Sequence, residues 1–314
     1  MTFTESETPM REDIEFDAEG VTLRGWFYKP EGVSGEVPCV IMTHGFSCTK
    51  EMGLEPYAEA FSAAGLACVV YDHRGFGASD TAPGKPRQEI DPWDQIHDCQ
   101  HAITYAQGRP EVDASRIGVW GSSYAGGNAF VVAAIDRRVK AVCGQVPGVS
   151  MRRTFEANVP EEFWQAAWDG QAADRLARAR GEAPAMIPVV TADPTQPAVM
   201  PTPDAYAFFS AYEGTAWRNE VTMRSLELNY EPGQFLKFVA PTPLLMVVAE
   251  DDNVVTPAEW AKEAYDTAAE PKRLVSIPGG HFDAYTGHPF ELSSGAARDW
   301  FLEHLARKVA PASV

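Results

Sequence analysis

The chain has 314 residues, 45% of them hydrophobic, and a formal net charge of −18. That is apolar material for one large domain with an insertion, or for two small domains. The negative balance argues against nucleic acid and membranes as partners, because both anionic surfaces need basic residues to displace counterions, and no run of about 18 apolar residues offers a bilayer span.

The polar start MTFTESETPMRED lacks the apolar stretch of a secretory leader, so a soluble, cytoplasmic protein is expected. Two alternating stretches in IEFDAEGVTLRGWFYKP, split by a Gly-containing turn, predict an antiparallel hairpin. PCVIMTH, LACVVYD, RIGVWG and VKAVCGQ are short, nearly continuous apolar runs, as in parallel strands covered on both faces. Between them LEPYAEAFSAAG, PWDQIHDCQHAITYAQG and SYAGGNAFVVAAI read as helices. Five cysteines are scattered without CxxC spacing, three of them inside these runs, which fits reduced thiols.

After Pro147 the alternation stops. Helical pieces (FWQAAWDGQAADRLARARG, DAYAFFSAYEGTAWRNEV) flank a proline-rich connector, with no clear strand up to about Phe238. Alternation resumes with PLLMVVAED, the helix PAEWAKEAYDTA, KRLVSIPGG and a last helix SGAARDWFLEHLARKV. The expected class is therefore α/β: a mostly parallel, doubly wound sheet with an N-terminal antiparallel hairpin and an inserted, mainly helical cap. The core would comprise residues 1–147 and 240–314, with the cap at 148–239.

RIGVWGSSYAGGNA puts two serines at a strand-to-helix turn. A side chain shown at the tip of such a turn needs small residues two before and two after it. Around Ser122 these would be Trp120 and Tyr124; around Ser123 they are Gly121 and Ala125. Ser123 is the candidate nucleophile and Ser122 a supporting residue. A serine hydroxyl needs a base, and the base an orienting acid, in the chain order serine, acid, histidine. Of the histidines downstream, His281 and His288 on the loops after the last strand are the ones weighed as base; His304 lies farther on, inside the last predicted helix. His281 follows a strand and two glycines, on a loop at the sheet edge that carries Ser123, and is preferred. Among Glu250, Asp251 and Asp252 at the end of LLMVVAEDD, Asp252 lies deepest in the turn, with Asp251 second. Backbone amides of Phe46, after PCVIMTHGF, and Tyr124, after the serine, would supply an oxyanion hole; His44 is read as holding loop geometry.

These motifs (HGF at 44–46, YDHRGFGAS at 71–79, GSSYAG at 121–126, AEDDNVV at 249–255, GGHFDAY at 279–285) resemble the α/β-hydrolase superfamily over nearly the whole chain. The Gly-x-Ser-Tyr-x-Gly elbow is most similar to the branch with X-prolyl dipeptidyl-peptidases, cocaine-esterase-like and dienelactone-hydrolase-like enzymes. The resemblance implies a Ser123, Asp252, His281 triad with Phe46 and Tyr124 as oxyanion donors. Ala125 and Ala249 depart from it, standing where glycine is commoner.

Other signals are set aside. SCTK at 47–50 matches Ser-x-x-Lys but lacks the partner motifs of that fold; its Cys48 would lie near the pocket mouth. His97 and His101, with Asp94, Asp98 and Cys99 nearby, are read as an exposed polar helix face rather than a metal site. No cofactor and no metal are expected. The inserted segment is rich in aromatics, among them Phe155, Trp164, Trp168, Phe208 and Trp217, so the expected substrate is a small molecule, a bulky, mainly hydrophobic ester or thioester. Carbon–carbon hydrolysis of a diketone or polyketide-like compound, amide or peptide hydrolysis, and a non-catalytic ligand-binding protein are the alternatives. A homo-oligomer is compatible with the sequence.

Overall fold

The computed structural model describes residues 10–193, 195–226 and 228–306. Strands β1 (Met10–Asp17) and β2 (Thr22–Lys29) form the expected hairpin. Glu19 and Gly20 turn it with φ of 57° and 83°, the paired left-handed conformations that match strand twist in a two-residue turn. Then β3 (Val37–Thr43), α1 (Glu55–Ala63), β4 (Ala67–Tyr71), α2 (Pro92–Gln107), β5 (Val112–Ser122), α3 (Tyr124–Ile135) and β6 (Val139–Gln145) alternate. Next come α4 (Met151–Asn158), α5 (Trp164–Ala179), β7 (Met186–Ile187), α6 (Pro203–Ser210) and β8 (Val221–Thr222). Strand β9 (Leu244–Ala249), α7 (Ala258–Asp266), β10 (Lys272–Ile277) and α8 (Gly287–His304) complete the described chain.

The main sheet has eight strands in the order β1-β2-β4-β3-β5-β6-β9-β10. Only the β1–β2 and β2–β4 pairs are antiparallel; from β4 to β10 every pair is parallel. Side chains of successive strand residues go to opposite faces. In β3, Cys39 and Ile41 join the core under α2 and α3, whereas Val40 and Met42 join the core under α1 and α8. Both faces are covered, which explains why these strands read as unbroken apolar runs. All five cysteines are buried and free, including Cys39, Cys68 and Cys143 in strands.

The region after Pro147 differs from expectation in three places. Ser150 accepts a hydrogen bond from the Arg153 N–H at 3.1 Å and starts α4, a helix the hydrophobic pattern did not reveal. The helix expected over 204–221 stops at Ser210; Gly214 takes a φ of 87°, and Val221–Thr222 instead pairs with Met186–Ile187 as a small antiparallel ladder. Burial of the two β-branched residues outweighs helix formation there. The last helix begins at Gly287, seven residues before the expected 294, because Pro289 is tolerated in a first helical turn; residues 307–309 of that expectation lie outside the described residues.

The parallel register brings strand ends together. Thr43 pairs with Gly121, Ser122 with Gln145, Gln145 with Val247, and Ala249 with Ile277. Loops following β3, β5, β6, β9 and β10 therefore leave one edge of the sheet. Because β3 sits between β4 and β5, connections run off in opposite directions on its two sides, and a crevice opens at that switch point.

Candidate active site

Ser123 follows β5 directly and has φ 60° and ψ −125°, a costly conformation for a residue with a side chain. Its N–H donates to Gln145 O at 2.8 Å, and its carbonyl accepts from Gly126 N (2.9 Å) and Gly148 N (2.9 Å). The turn leaves no room beneath it. A Cβ on Gly121 would stand 2.1 Å from Ala125 O, and one on Gly127 2.3 Å from Gly148 O. Alanine at 125 is accommodated because it is the glycine at 121 that faces the crowded carbonyl.

Ser122 points elsewhere. It is fully buried, and its Oγ lies 2.6 Å from Tyr285 Oη, with Gln145 Nε2 donating to it at 3.4 Å. The bond ties the end of β5 to the turn that carries His281. That turn is a 3₁₀ segment, His281–Tyr285, rather than a loose loop. The Asp283 carboxylate accepts the Gly280 N–H at 2.7 Å, and Gly279, at φ 88°, has no space for a Cβ beside Asp283.

His281 is 3% exposed and bridges two groups, with Nε2 3.0 Å from Ser123 Oγ and Nδ1 2.7 Å from Asp252 Oδ2. Glu250 and Asp251 are exposed, whereas Asp252 turns inward and is 3% exposed. Its carboxylate accepts the backbone N–H groups of Val255 (3.1 Å) and Thr256 (3.2 Å) and the Thr256 hydroxyl (2.7 Å). Burial pushes its pKa up, but the hydrogen bond and charge of His281 and the Thr256 bonds outweigh this, taking it from 3.8 to about 2. His288 lies on the surface against Glu291 at 3.3 Å, away from this cluster.

The loop after β3 closes the other side. A Cβ on Gly45 would lie 3.2 Å from Ser123 Cβ, and the Phe46 ring meets the Tyr124 ring edge-on at 5.7 Å. His44 accepts the His73 N–H at Nε2 (3.1 Å) and faces Gly45 O through Nδ1 (3.1 Å). Burial, with the nearby His73 and Lys50, holds its pKa well below the usual imidazole range, so neutral His44 braces the loop.

Lys50 of the Ser-x-x-Lys match is a structural cation: buried, it donates to Asp72 at 2.7 Å and Glu51 at 3.1 Å. Cys48 is buried, and burial raises its thiol pKa. On α2, His97 is exposed but Asp98 and Cys99 are buried, correcting the reading of a wholly exposed face: Asp98 receives Arg74 Nε at 2.7 Å and braces the 71–79 loop. Among the described residues no group of three or more His, Cys, Asp or Glu is arranged to hold a metal ion, and no helix is long and apolar enough to cross a membrane.

In the inserted segment, Phe155, Trp164 and Trp168 pack on one another, and Phe209 and Trp217 are buried. Phe208 on α6 stacks on Phe282 at 4.8 Å, and Phe282 stands against His281 at 5.0 Å. Thr256 and Tyr285 were not anticipated as site residues. Each lies four positions after a candidate, Thr256 after Asp252 and Tyr285 after His281, a spacing that returns a side chain to the same turn.

The family model of X-Pro dipeptidyl-peptidases, S15 family, matches residues 19–283. The chain belongs to the S15 family. Three similar proteins refine its position there. The quorum-quenching protein AidA of Acinetobacter baumannii is 31% identical over 286 residues, 89% of this chain and 90% of that protein. A thiohydrolase of Eupenicillium brefeldianum is 30% identical over 296 residues, 91% and 92% of the two chains. The solved α/β hydrolase GrgF from Penicillium sp. sh18 is 29% identical, with a TM-score of 0.81 over 94% of this chain and 99% of GrgF; a protein of that name from Penicillium is called a polyketide transferase. The S15 chain is thus an enzyme of the α/β-hydrolase class, with its mostly parallel sheet and N-terminal antiparallel hairpin.

Proposed function

We propose that this S15-family enzyme is a serine hydrolase in which Ser123 attacks a bulky, mainly hydrophobic ester or thioester and forms an acyl-enzyme. The observation that carries the reading is His281, hydrogen-bonded at once to Ser123 Oγ at 3.0 Å and to Asp252 Oδ2 at 2.7 Å. With its Nδ1 proton held by Asp252, the imidazole presents an unprotonated Nε2 to the serine, the tautomer a general base needs. Nε2 takes the Oγ proton as the bond to the acyl carbon forms, then gives it to the departing alcohol or thiol. A water molecule, deprotonated by the same nitrogen, releases the acid and restores Ser123.

The N–H groups of Phe46 and Tyr124 are the proposed oxyanion donors. Tyr124 opens α3, where helix N–H groups lack partners within the helix and the macrodipole favours negative charge. Residues 148–239 are read as a cap whose α6 meets the histidine turn through Phe208 and Phe282, which supports an apolar acyl group as substrate. The relative named a thiohydrolase supports thioesters in particular.

Intact mass after fluorophosphonate treatment tests the reading. A single adduct is expected on wild type and on Ser122→Ala, and none on Ser123→Ala, with hydrolysis by that variant reduced at least about 1,000-fold. An adduct on Ser123→Ala, or none on wild type, would overturn the assignment. Paired acyl esters and thioesters of increasing chain length then define the substrate. A second reading, acyl transfer to an alcohol or amine in place of water, is favoured by the relative named a polyketide transferase; it predicts that added acceptor diverts acyl-enzyme from acid to the new ester or amide.

A further inference from the structure

Resting on the triad reading above, we infer that Thr256 is a positioning residue of the reaction: its hydroxyl fixes the Asp252 carboxylate and shares the Nδ1 proton of His281. The side chain lies at the centre of three polar groups. Oγ1 is 2.7 Å from Asp252 Oδ2, 2.9 Å from Val146 O and 3.0 Å from His281 Nδ1. It is buried, 8% exposed, and no other hydroxyl contacts both Asp252 and His281 among the hydrogen bonds of the described residues.

A hydroxyl has one proton and two lone pairs. Two of the three neighbours, the carboxylate and the carbonyl, only accept; the third, Nδ1–H, donates. At 2.7 Å from a charged carboxylate, an oxygen lone pair facing it is repelled, so in the resting state the hydroxyl proton points at Asp252. The Oγ1 lone pair then takes a share of Nδ1–H, fixing the imidazole plane from a second direction and leaving Nε2 bare toward Ser123. Val146 O is the alternative acceptor. No proton is transferred to or from Thr256.

The carbonyl is held in place at a cost. Val146 has a φ of 37°, rare for a β-branched residue, while its N–H donates to Val247 O at 2.7 Å. Strain of this kind persists only where the surroundings over-determine it. Here it aims the carbonyl between β6 and the Asp252 turn. The Thr256 N–H also binds both Asp252 oxygens, at 3.2 Å each, so backbone and side chain of one residue grip the same carboxylate.

The test uses fluorophosphonate inactivation, in which Ser123 Oγ forms the bond to phosphorus, fluoride leaves and His281 takes the serine proton. Wild type, Thr256→Val, Thr256→Ser and Ser123→Ala are compared by the maximal inactivation rate and the half-saturating inhibitor concentration. Thr256→Val is expected to lose roughly 10- to 100-fold in maximal rate, the range for a hydrogen bond to a charged group, with half-saturation unchanged. Thr256→Ser is expected to stay within about threefold of wild type, on the same hydrogen-bond scale. Thermal melts accompany each variant, and Thr256→Ala takes the place of Thr256→Val if the latter does not fold. Wild-type inactivation by any folded variant lacking the hydroxyl overturns the inference, as does a Thr256→Ser variant as slow as Thr256→Val, which would make the effect one of packing. In either case a silent Ser123→Ala leaves the triad reading standing. Labelling of Ser123→Ala would instead remove the triad reading itself.

Discussion

Helices α3 and α5 lie on either side of the sequence break at Pro147 and are built on opposite principles. Eleven of the twelve residues of α3 are buried, whereas only Asp174 of the sixteen in α5 is buried. The first has no polar face to speak of and exists because the sheet and its neighbours enclose it; the second is rich in Ala, Arg and Gln, good helix formers that need little packing. α5 is tethered by charge. Its Arg178 reaches Glu89 at 2.6 Å, and Arg224, near β8, reaches Glu89 at 2.9 Å and Asp91 at 2.7 Å. Groups that must meet within hydrogen-bonding distance are therefore carried on close-packed backbone, where small displacements are expensive, and the inserted segment after Pro147 rests on contacts that are easier to rearrange.

That contrast can be broken most directly at the elbow. Gly121→Ala forces a Cβ against Ala125 O and is expected to destabilise by on the order of 4 kcal/mol or more; a denaturant midpoint near wild type would show that the elbow yields. Close behind, Lys50→Met leaves the buried Asp72 carboxylate without its cation, with an expected loss of about 3–5 kcal/mol in chemical denaturation. At the other end, Leu176→Ser on α5, at a side 63% exposed, is expected to change stability by no more than about 0.5 kcal/mol. A large effect there would mean that α5 is covered by something in solution.

Between these extremes lies Asp252, whose folded pKa is depressed from 3.8 to about 2. A depressed carboxylate pKa contributes stability that is complete well above pH 3.8 and is lost as pH falls through about 2, here about 2 kcal/mol. The difference in unfolding free energy between wild type and Asp252→Asn is therefore expected to shrink across that window. A difference independent of pH would show that the carboxylate is not held by His281 and Thr256.

Much of the site was legible because its chemistry leaves a local imprint. Gly121 and Ala125 distinguish Ser123 from Ser122 by size alone. Three downstream histidines, one of them inside the last helix, leave a short choice, and the carboxylates cluster at one strand end. What escaped was either cooperative or hidden in ambiguous composition. α4 is too polar for hydrophobic periodicity to mark, and the strand at Val221–Thr222 is two residues long. Thr256 and Tyr285 carry no motif, since threonine and tyrosine are common in any loop; their importance comes from what lies opposite. Asp98 looked like part of a solvated face because its partner, Arg74, is 24 positions away.

The sequence by itself determined the layered α/β class, the hairpin at the start, the break after Pro147 and the candidate residues Ser123, Asp252 and His281, because these depend on short-range periodicity and on residue type. The tertiary structure alone decided that Ser122 bonds Tyr285, that Thr256 stands beside the histidine, and that the strained Val146 carbonyl stands beside Thr256. Those relations join residues as far as 163 positions apart. They follow from parallel strands whose ends are brought level by backbone register, and no local pattern encodes that register.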